Sequence, residues 1–313
     1  MDFKLVNFCE IDEYAVQSYC AIHNVNSILN LGDICSVDIS SLPVGITLLT
    51  HGSPCTSFSR AGYQLGGDRG SGTPSSLMWN SVEIIRHCQP KFVIWENVSN
   101  VLAKKHKHNF EEYLEVLNEM GYNSYYEVLN GYHYGLPQHR ERIFVISIHK
   151  SIDKGFGFPL GYPLVKTFRD YLEPESDILE RHYLSDEQID KIHNSSYDMT
   201  TRRIQTGDYV ATLCARDYKG PKCVEVDGKV RQLTPREYWR LMGFSDADFD
   251  KALSTGVAFS HLYKQAGNSI AYNVIKEILL ELCKQYPDYF NSSLSYLSLF
   301  SGVGAFEMAL RDI

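Results

Sequence analysis

The first half of the chain alternates short β-branched and aromatic runs with stretches whose apolar residues recur every three or four positions. Residues 5–9, 46–50, 92–95, 125–129 and 142–148 read as strands. Between them, 13–24 brings Tyr14, Ala15, Ser18, Tyr19 and Ile22 near one helical face. The stretch 77–88 is helical too, and 110–120 aligns Phe110, Tyr113, Leu114, Leu117 and Met120. Strand–helix alternation of this kind predicts an α/β fold: a doubly wound, mostly parallel, Rossmann-like sheet with helices on both faces.

The alternation stops after His149. Residues 151–175 are rich in Gly, Pro and charge and read as a crossing linker. A short helix is expected over 184–193, and 196–232 holds short strand-like pieces and many turns. Pro235 suits the first turn of a helix over 235–242, where its missing N–H costs nothing. Residues 269–285 read as one long amphipathic helix. A last strand, 296–300, is followed by a glycine loop and a final helical turn or two. The expected organisation is a main domain from 1–170 and 258–313, with a smaller domain over 171–257. A strand–glycine loop–helix unit normally opens a nucleotide-binding sheet; here it follows the last long helix.

Composition narrows the class. In 313 residues, 44% hydrophobic and 22% charged content describe a water-soluble globular protein. No apolar run approaches the ~20 residues that cross a bilayer, and the first dozen residues carry acids where a signal peptide needs bases, so a cytoplasmic protein is expected. The eight cysteines form no CxxC pair and no zinc-spaced cluster; no metal site is expected. Net charge is −8, but residues 202–240 hold nine Lys/Arg against five Asp/Glu, which leaves −12 elsewhere. A basic segment on an acidic body suits a local phosphate contact, or simply a solvated loop.

Three places carry chemistry. Gly52-Ser53-Pro54-Cys55-Thr56-Ser57-Phe58-Ser59 directly follows a strand, where doubly wound sheets place ligands. Pro54 restrains the backbone ahead of Cys55, and nearby N–H groups can stabilise a thiolate. Glu96-Asn97-Val98 follows the neighbouring strand, and Gln138-His139-Arg140-Glu141-Arg142 precedes another with its arginines on one side. Taken singly, these are also a buried thiol, a helix-capping acid and a surface ion pair.

Taken in order, the motifs resemble the C5-cytosine DNA methyltransferase family over nearly the whole chain. SPCTSFS resembles its nucleophile loop, WENV its ENV motif and LPQHRERIFV its QxRxR motif. RQLTPREYWRLMGF resembles the motif anchoring the target-recognition domain, and YKQAGNSIAYNVI the last motif. LSLFSGVGAF resembles the first, FCEIDEYA the second and GDI at 32–34 the third. The order departs from the family: the first motif sits at 297–306 and the second at 8–15, so the chain looks circularly permuted, and joining Ile313 to Met1 restores the usual sequence. Thr56 stands where glutamine is usual and Ala305 where glycine is common.

The resemblance implies S-adenosylmethionine as methyl donor, with S-adenosylhomocysteine as product, and double-stranded DNA as substrate. It makes Cys55 the nucleophile at C6, Glu96 the acid at N3, and Arg140 and Arg142 the groups that hold the base. Phe300 and Ile11 would flank the adenine, Gly302 and Gly304 approach the methionine part, Glu10 meet the ribose and Asp33 the adenine amino group. Ile34, Pro54, Leu77, Asn268 and Ser269 would complete that pocket. Ser59, Arg202, Arg203, Thr212, Arg216, Lys219 and Lys222 are the DNA-binding candidates. A flipped-out target base is expected, as are a monomer and a restriction endonuclease acting on the same site without direct contact. The alternatives are an RNA cytosine-5 methyltransferase, a catalytically silent DNA-binding protein, and a final strand exchanged between subunits.

Overall fold

The computed structural model describes residues 2–60, 62–194, 203–291 and 293–313. In chain order, β1 (Phe3–Cys9) leads into α1 (Glu13–His23), whose N-terminus is capped by the Asp12 carboxylate accepting from the Tyr14 and Ala15 amides. β2 (Leu48–His51) follows, then α2 (Met78–Cys88), β3 (Phe92–Val98), α3 (Lys107–Glu119) and β4 (Tyr122–Asn130). The short β5 (Gln138–His139) and the long β6 (Glu141–His149) come next, and then α4 (Asp186–His193), capped by Ser185. The middle of the chain folds into β7 (Ile204–Gln205), β8 (Val210–Ala211), β9 (Cys223–Val226) and β10 (Lys229–Gln232). Four helices, α5 (Pro235–Leu241), α6 (Asp246–Ser254), α7 (Phe259–Asn268) and α8 (Tyr272–Gln285), lead to the short α9 (Pro287–Phe290), then β11 (Leu294–Leu299) and α10 (Ala305–Arg311).

The main sheet runs β1-β11-β2-β3-β6-β4. β11 pairs in parallel with both β1 and β2, so the last strand of the chain lies inside the sheet. β6 alone is antiparallel, to β3 on one side and β4 on the other, which makes the sheet mixed. Side chains alternate across it with period two. Leu48, Phe92, Ile94, Phe144, Ile146 and Tyr296 face one buried layer, shared with α8 and α10; Leu49, Val93, Trp95, Val145, Leu297 and Leu299 face the other, under α2 and α3.

The middle residues form a small β10-β9-β7 sheet, and β8 pairs in parallel with β5. Their apolar residues Val210, Leu213, Val224 and Leu233 join the same core layer as Phe144 and Trp239, so the two parts share one continuous interior.

Several element bounds differ by a few residues, and two of these differences bear on the site. The strand at 92 does not stop at Trp95; it runs to Val98 because β6 supplies backbone partners as far as Val98 opposite Arg142. Glu96 and Asn97 are therefore strand residues. The helix expected over 269–285 begins at Tyr272, since Asn268 closes α7 and Ser269 is extended (φ −76°, ψ 171°). No described helix is long and apolar enough to cross a membrane, and no described cluster of His, Cys, Asp and Glu could hold a metal.

Candidate active site

β2 ends at His51 and the chain turns at once through Gly52-Ser53-Pro54-Cys55. The turn is closed on itself: the Phe58 and Ser59 amides donate to the Cys55 carbonyl at 2.9 and 2.8 Å. Ser75 Oγ donates to the Pro54 carbonyl (2.6 Å) and accepts from the Ser57 amide (3.1 Å). From the neighbouring strand, Asn97 Nδ2 donates to the Ser53 carbonyl at 3.0 Å. Gly52 lies where a Cβ would stand 3.7 Å from both Glu96 Oε2 and Ile270 Cδ1. The loop that carries Cys55 therefore runs directly beside the glutamate, at ordinary contact distance.

Glu96 is buried, and Arg142 Nε lies 3.0 Å from its Oε1. Burial pushes the Glu96 carboxyl above the usual carboxylate range, against the opposing charges of Arg142 and Arg140. Burial likewise pushes the Cys55 thiol up; Arg142 and Arg140 pull it down and Glu96 adds to the rise. The groups thus sense one another's fields. A thiol, a carboxyl with raised proton affinity and a guanidinium at the tips of adjacent strands can attack an electron-poor ring carbon, proton-assist the ring and bind its carbonyl.

Arg140 does something else. Its Nη1 donates to the Leu213 carbonyl at 2.8 Å, and its Nη2 to the carbonyls of Gly267 (3.0 Å) and Ser269 (2.5 Å). It is fully buried, and its two terminal nitrogens tie β8's segment to the end of α7, while its Nε has no partner and its charge is felt at Glu96 and Cys55. Gln138, which motif reading passed over, works beside it: Nε2 donates to the Leu241 carbonyl and Oε1 accepts from the Leu213 amide. A Cβ on Gly267 would meet the Cys214–Ala215 peptide at 2.3 Å, so only glycine permits this seam. The signal was present in the sequence as the Q-x-R and G-N-S motifs, but only contacts show that both serve docking.

The glycine loop after β11 lies alongside the β1 end. Glu10 Oε2 accepts from the Gly302 amide (2.9 Å), and Oε1 from the Asp12 amide (2.8 Å). Asn30, also unanticipated, holds the Glu10 backbone at both its N–H and its carbonyl, each at 3.0 Å. Phe300 is held at φ 56°, a left-handed conformation that non-glycine residues seldom adopt and that gathers at ligand sites. Open space lies over Gly302, Ile11 is 69% exposed beside Glu10, and Asp33 is at the surface, its Oδ1 accepting from Cys35 N. An unobstructed glycine backbone, a carboxylate for sugar hydroxyls and exposed apolar side chains fit an adenosyl-methionine ligand. Two of the expected residues have internal neighbours. The missing Cβ of Gly304 makes room for His23 and Tyr19 of α1, with His23 Nε2 bonded to the Val303 carbonyl at 3.0 Å, so the absence of a side chain there is required by packing. The Ile34 side chain is in the core. Pro54 and Leu77 are half-buried near the nucleophile loop, Asn268 is exposed, and Ser269 is spent on Arg140 through its carbonyl.

The basic middle segment is mostly consumed internally. Arg231 is fully buried against Glu237 and Glu175; Arg236 meets Glu173 and Asp250; Arg240 meets Asp246. Lys222, expected on DNA, is 8% exposed and pairs with Asp217 at 3.7 Å, so it is not offered to phosphate. Arg203 is half-buried, its Nε donating to the Pro221 carbonyl. Arg216 and Lys219 are exposed. Thr212 Oγ1 donates to the His139 carbonyl (2.5 Å) at the seam, Ser59 closes the nucleophile turn, and Arg202 lies outside the described residues.

A family model described as C-5 cytosine-specific DNA methylase matches residues 1–284. This chain belongs to that family. The matched span ends before β11. Among curated members, the chain is 39% identical over 272 residues to the type II methyltransferase M2.ScrFI of Lactococcus lactis subsp. cremoris, covering 82% of this chain and 71% of that protein. It is 30% identical over 300 residues to the type II methyltransferase M.Bsp6I of Bacillus sp. (strain RFL6), covering 90% and 92%. The fold matches that of the S. pombe Dnmt2 methyltransferase with a TM-score of 0.67 at 20% identity, over 91% of this chain and 92% of that one. Membership in the methylase family brings S-adenosylmethionine as the methyl donor.

Proposed function

We propose that the protein transfers a methyl group from S-adenosylmethionine to C5 of a cytosine within a specific duplex DNA sequence. The observation that carries this reading is the meeting of Cys55, Glu96 and Arg142 at the strand tips, beside the Glu10–Gly302 cradle. A cytosine reaches a half-buried thiol in this cleft only outside the base stack, so the base flips into the site at a cost of a few kcal/mol.

The residues act in sequence. Cys55 loses its proton and its sulfur bonds C6 of cytosine, breaking the C5–C6 double bond and making C5 electron-rich. Glu96, kept inclined to hold a proton by burial, donates at N3 as charge builds on the ring. Arg142 holds the ring carbonyl and keeps Glu96 oriented. S-adenosylmethionine supplies an electrophilic methyl group to C5. Removal of the C5 proton by a base then restores the C5–C6 double bond as Cys55 leaves as the thiolate, and the N3 proton returns to Glu96. Phe300, Ile11, Glu10, Gly302 and Asp33 form the donor pocket, and Arg140 keeps the two walls of the cleft in register.

The motif order supports a circularly permuted chain. The strand bearing LSLFSGVGAF follows the GNSI helix in sequence yet sits between β1 and β2 in the sheet. Residues 171–257 are taken as the recognition domain, with Arg203, Arg216 and Lys219 toward the phosphates. The setting is the modification half of a restriction–modification pair, working as a cytoplasmic monomer whose cognate endonuclease reads the same site without touching it. Bisulfite sequencing of DNA from cells expressing the chain tests the methyl transfer, its position and its sequence context. Protected cytosines in one sequence context, absent with Cys55→Ala, are expected; uniform conversion in both would refute the proposal.

A further inference from the structure

The mechanism uses the Cys55 sulfur but leaves a buried aromatic stack beneath it without a task. His51, the last residue of β2, is fully buried, with Nε2 2.9 Å from the Tyr113 hydroxyl. Its ring lies parallel to the Trp95 indole (centroids 5.9 Å, 9°). Tyr113 and Phe110 of α3 close on the same indole at 4.4 and 6.1 Å. Three rings therefore fix the plane of Trp95, and the one polar atom of that indole points at the nucleophile loop: Nε1 donates to Ser53 Oγ at 3.0 Å. Two residues along β3, on the same side of the strand, Asn97 Nδ2 donates to the Ser53 carbonyl at 3.0 Å and, at a longer 3.4 Å, to the same Ser53 Oγ. Ser53 is 3% exposed and stands two residues before Cys55.

We infer that Ser53 is a positioning residue: the Trp95 N–H, aimed by the stacked rings, holds its hydroxyl and thereby sets the direction in which Pro54–Cys55 presents the thiol. A buried indole N–H strongly favours having an acceptor, and here that acceptor belongs to the catalytic loop rather than to the core. Because Pro54 restrains the backbone between them, a rotation at Ser53 is passed on to Cys55 instead of being absorbed. The inference rests on Cys55 being the nucleophile.

The test uses the full chain with Ser53→Ala, Trp95→Phe, the double variant and Ser53→Thr. One arm measures methyl transfer from labelled S-adenosylmethionine to unmethylated genomic DNA fragments. The other measures alkylation of Cys55 by iodoacetamide against pH, followed by mass. Losing one neutral hydrogen bond in the reacting geometry predicts about a tenfold fall in kcat, with KM for both substrates within about twofold. It also predicts a displaced alkylation profile, a double variant no worse than either single one, and recovery with Ser53→Thr. A Ser53→Ala protein with the parent's unfolding midpoint, kcat and alkylation profile overturns the inference, as do losses that multiply in the double variant. If Trp95→Phe does not fold, Ser53→Ala and Ser53→Thr decide alone. A parent chain that transfers no methyl group to DNA overturns the functional reading instead, and the alkylation arm still judges Ser53.

Discussion

Arg142 reaches from the first turn of β6 across to Glu96 on β3, two register positions away, and closes to 3.0 Å between Nε and Oε1. The pair exists because β6 is antiparallel: only a reversed strand brings its N-terminal arginine to the C-terminal tip of β3. Arg142 lowers the Glu96 pKa against the rise caused by burial. Replacing it with glutamine removes the lowering influence, so the carboxyl titrates at higher pH. A kcat fall of about a hundredfold or more is expected for a lost transition-state donor, with the Glu96-dependent limb of the pH–rate profile moved upward. An unmoved limb would argue that the two side chains do not couple.

Glu96→Gln keeps the shape and removes the proton donor. The expected loss in kcat lies between about 10² and 10⁴, with binding of S-adenosylhomocysteine unchanged by calorimetry. Cys55→Ala abolishes transfer and retains DNA binding in a mobility-shift assay.

Cys55 sits above the ordinary cysteine range because of burial. Its thiolate fraction therefore keeps growing with pH beyond the point where an exposed cysteine levels off. Iodoacetamide inactivation rates rising through that range, without an early plateau, are the expected result.

Arg140 satisfies three carbonyls from two segments. Arg140→Ala strands them in a buried seam and is expected to cost roughly 3 kcal/mol in urea unfolding. The loss should appear in stability before it appears in the pH profile, which separates its role from that of Arg142.

Glu307 of α10 is fully buried, held above the usual carboxylate range by desolvation, and accepts from the Tyr19 hydroxyl at 2.8 Å. A carboxyl whose folded pKa is raised stabilises most at low pH, and that contribution is lost as pH rises through the folded value. The parent should therefore lose thermal stability relative to Glu307→Gln on going from acid to neutral pH. Parallel melting curves across that range would contradict the sign.

Much of the reactive centre was legible because each motif couples a residue type to a strand end. Cys55, Glu96 and Arg142 are close enough to shift one another's proton affinity, Cys55 just past the end of β2, Glu96 near the end of β3 and Arg142 at the start of β6. The end of β3 was misplaced, since its last three residues, Glu96, Asn97 and Val98, owe their strand to the distant partners Phe144, Ile143 and Arg142. The internal partners of Arg140, Gly304 and Lys222 were hidden for a related reason. A guanidinium, a glycine or an ammonium near a site looks the same in sequence whether it faces a ligand or a neighbouring segment. The basic excess of 202–240 shows this most plainly, since Arg231, Arg236 and Arg240 spend their charge on acids from other segments.

What the linear order of residues determined was chemistry and local form: which side chains can attack, protonate and bind, and which runs pleat or coil, because those depend on neighbours within a few positions. What only the folded chain decided was partnership. The insertion of β11 between β1 and β2, the reversal of β6, and the Arg140–Gly267 seam join segments some fifty to nearly three hundred positions apart. Such contacts follow from burying two faces of one sheet at once, a condition that no short window of sequence contains.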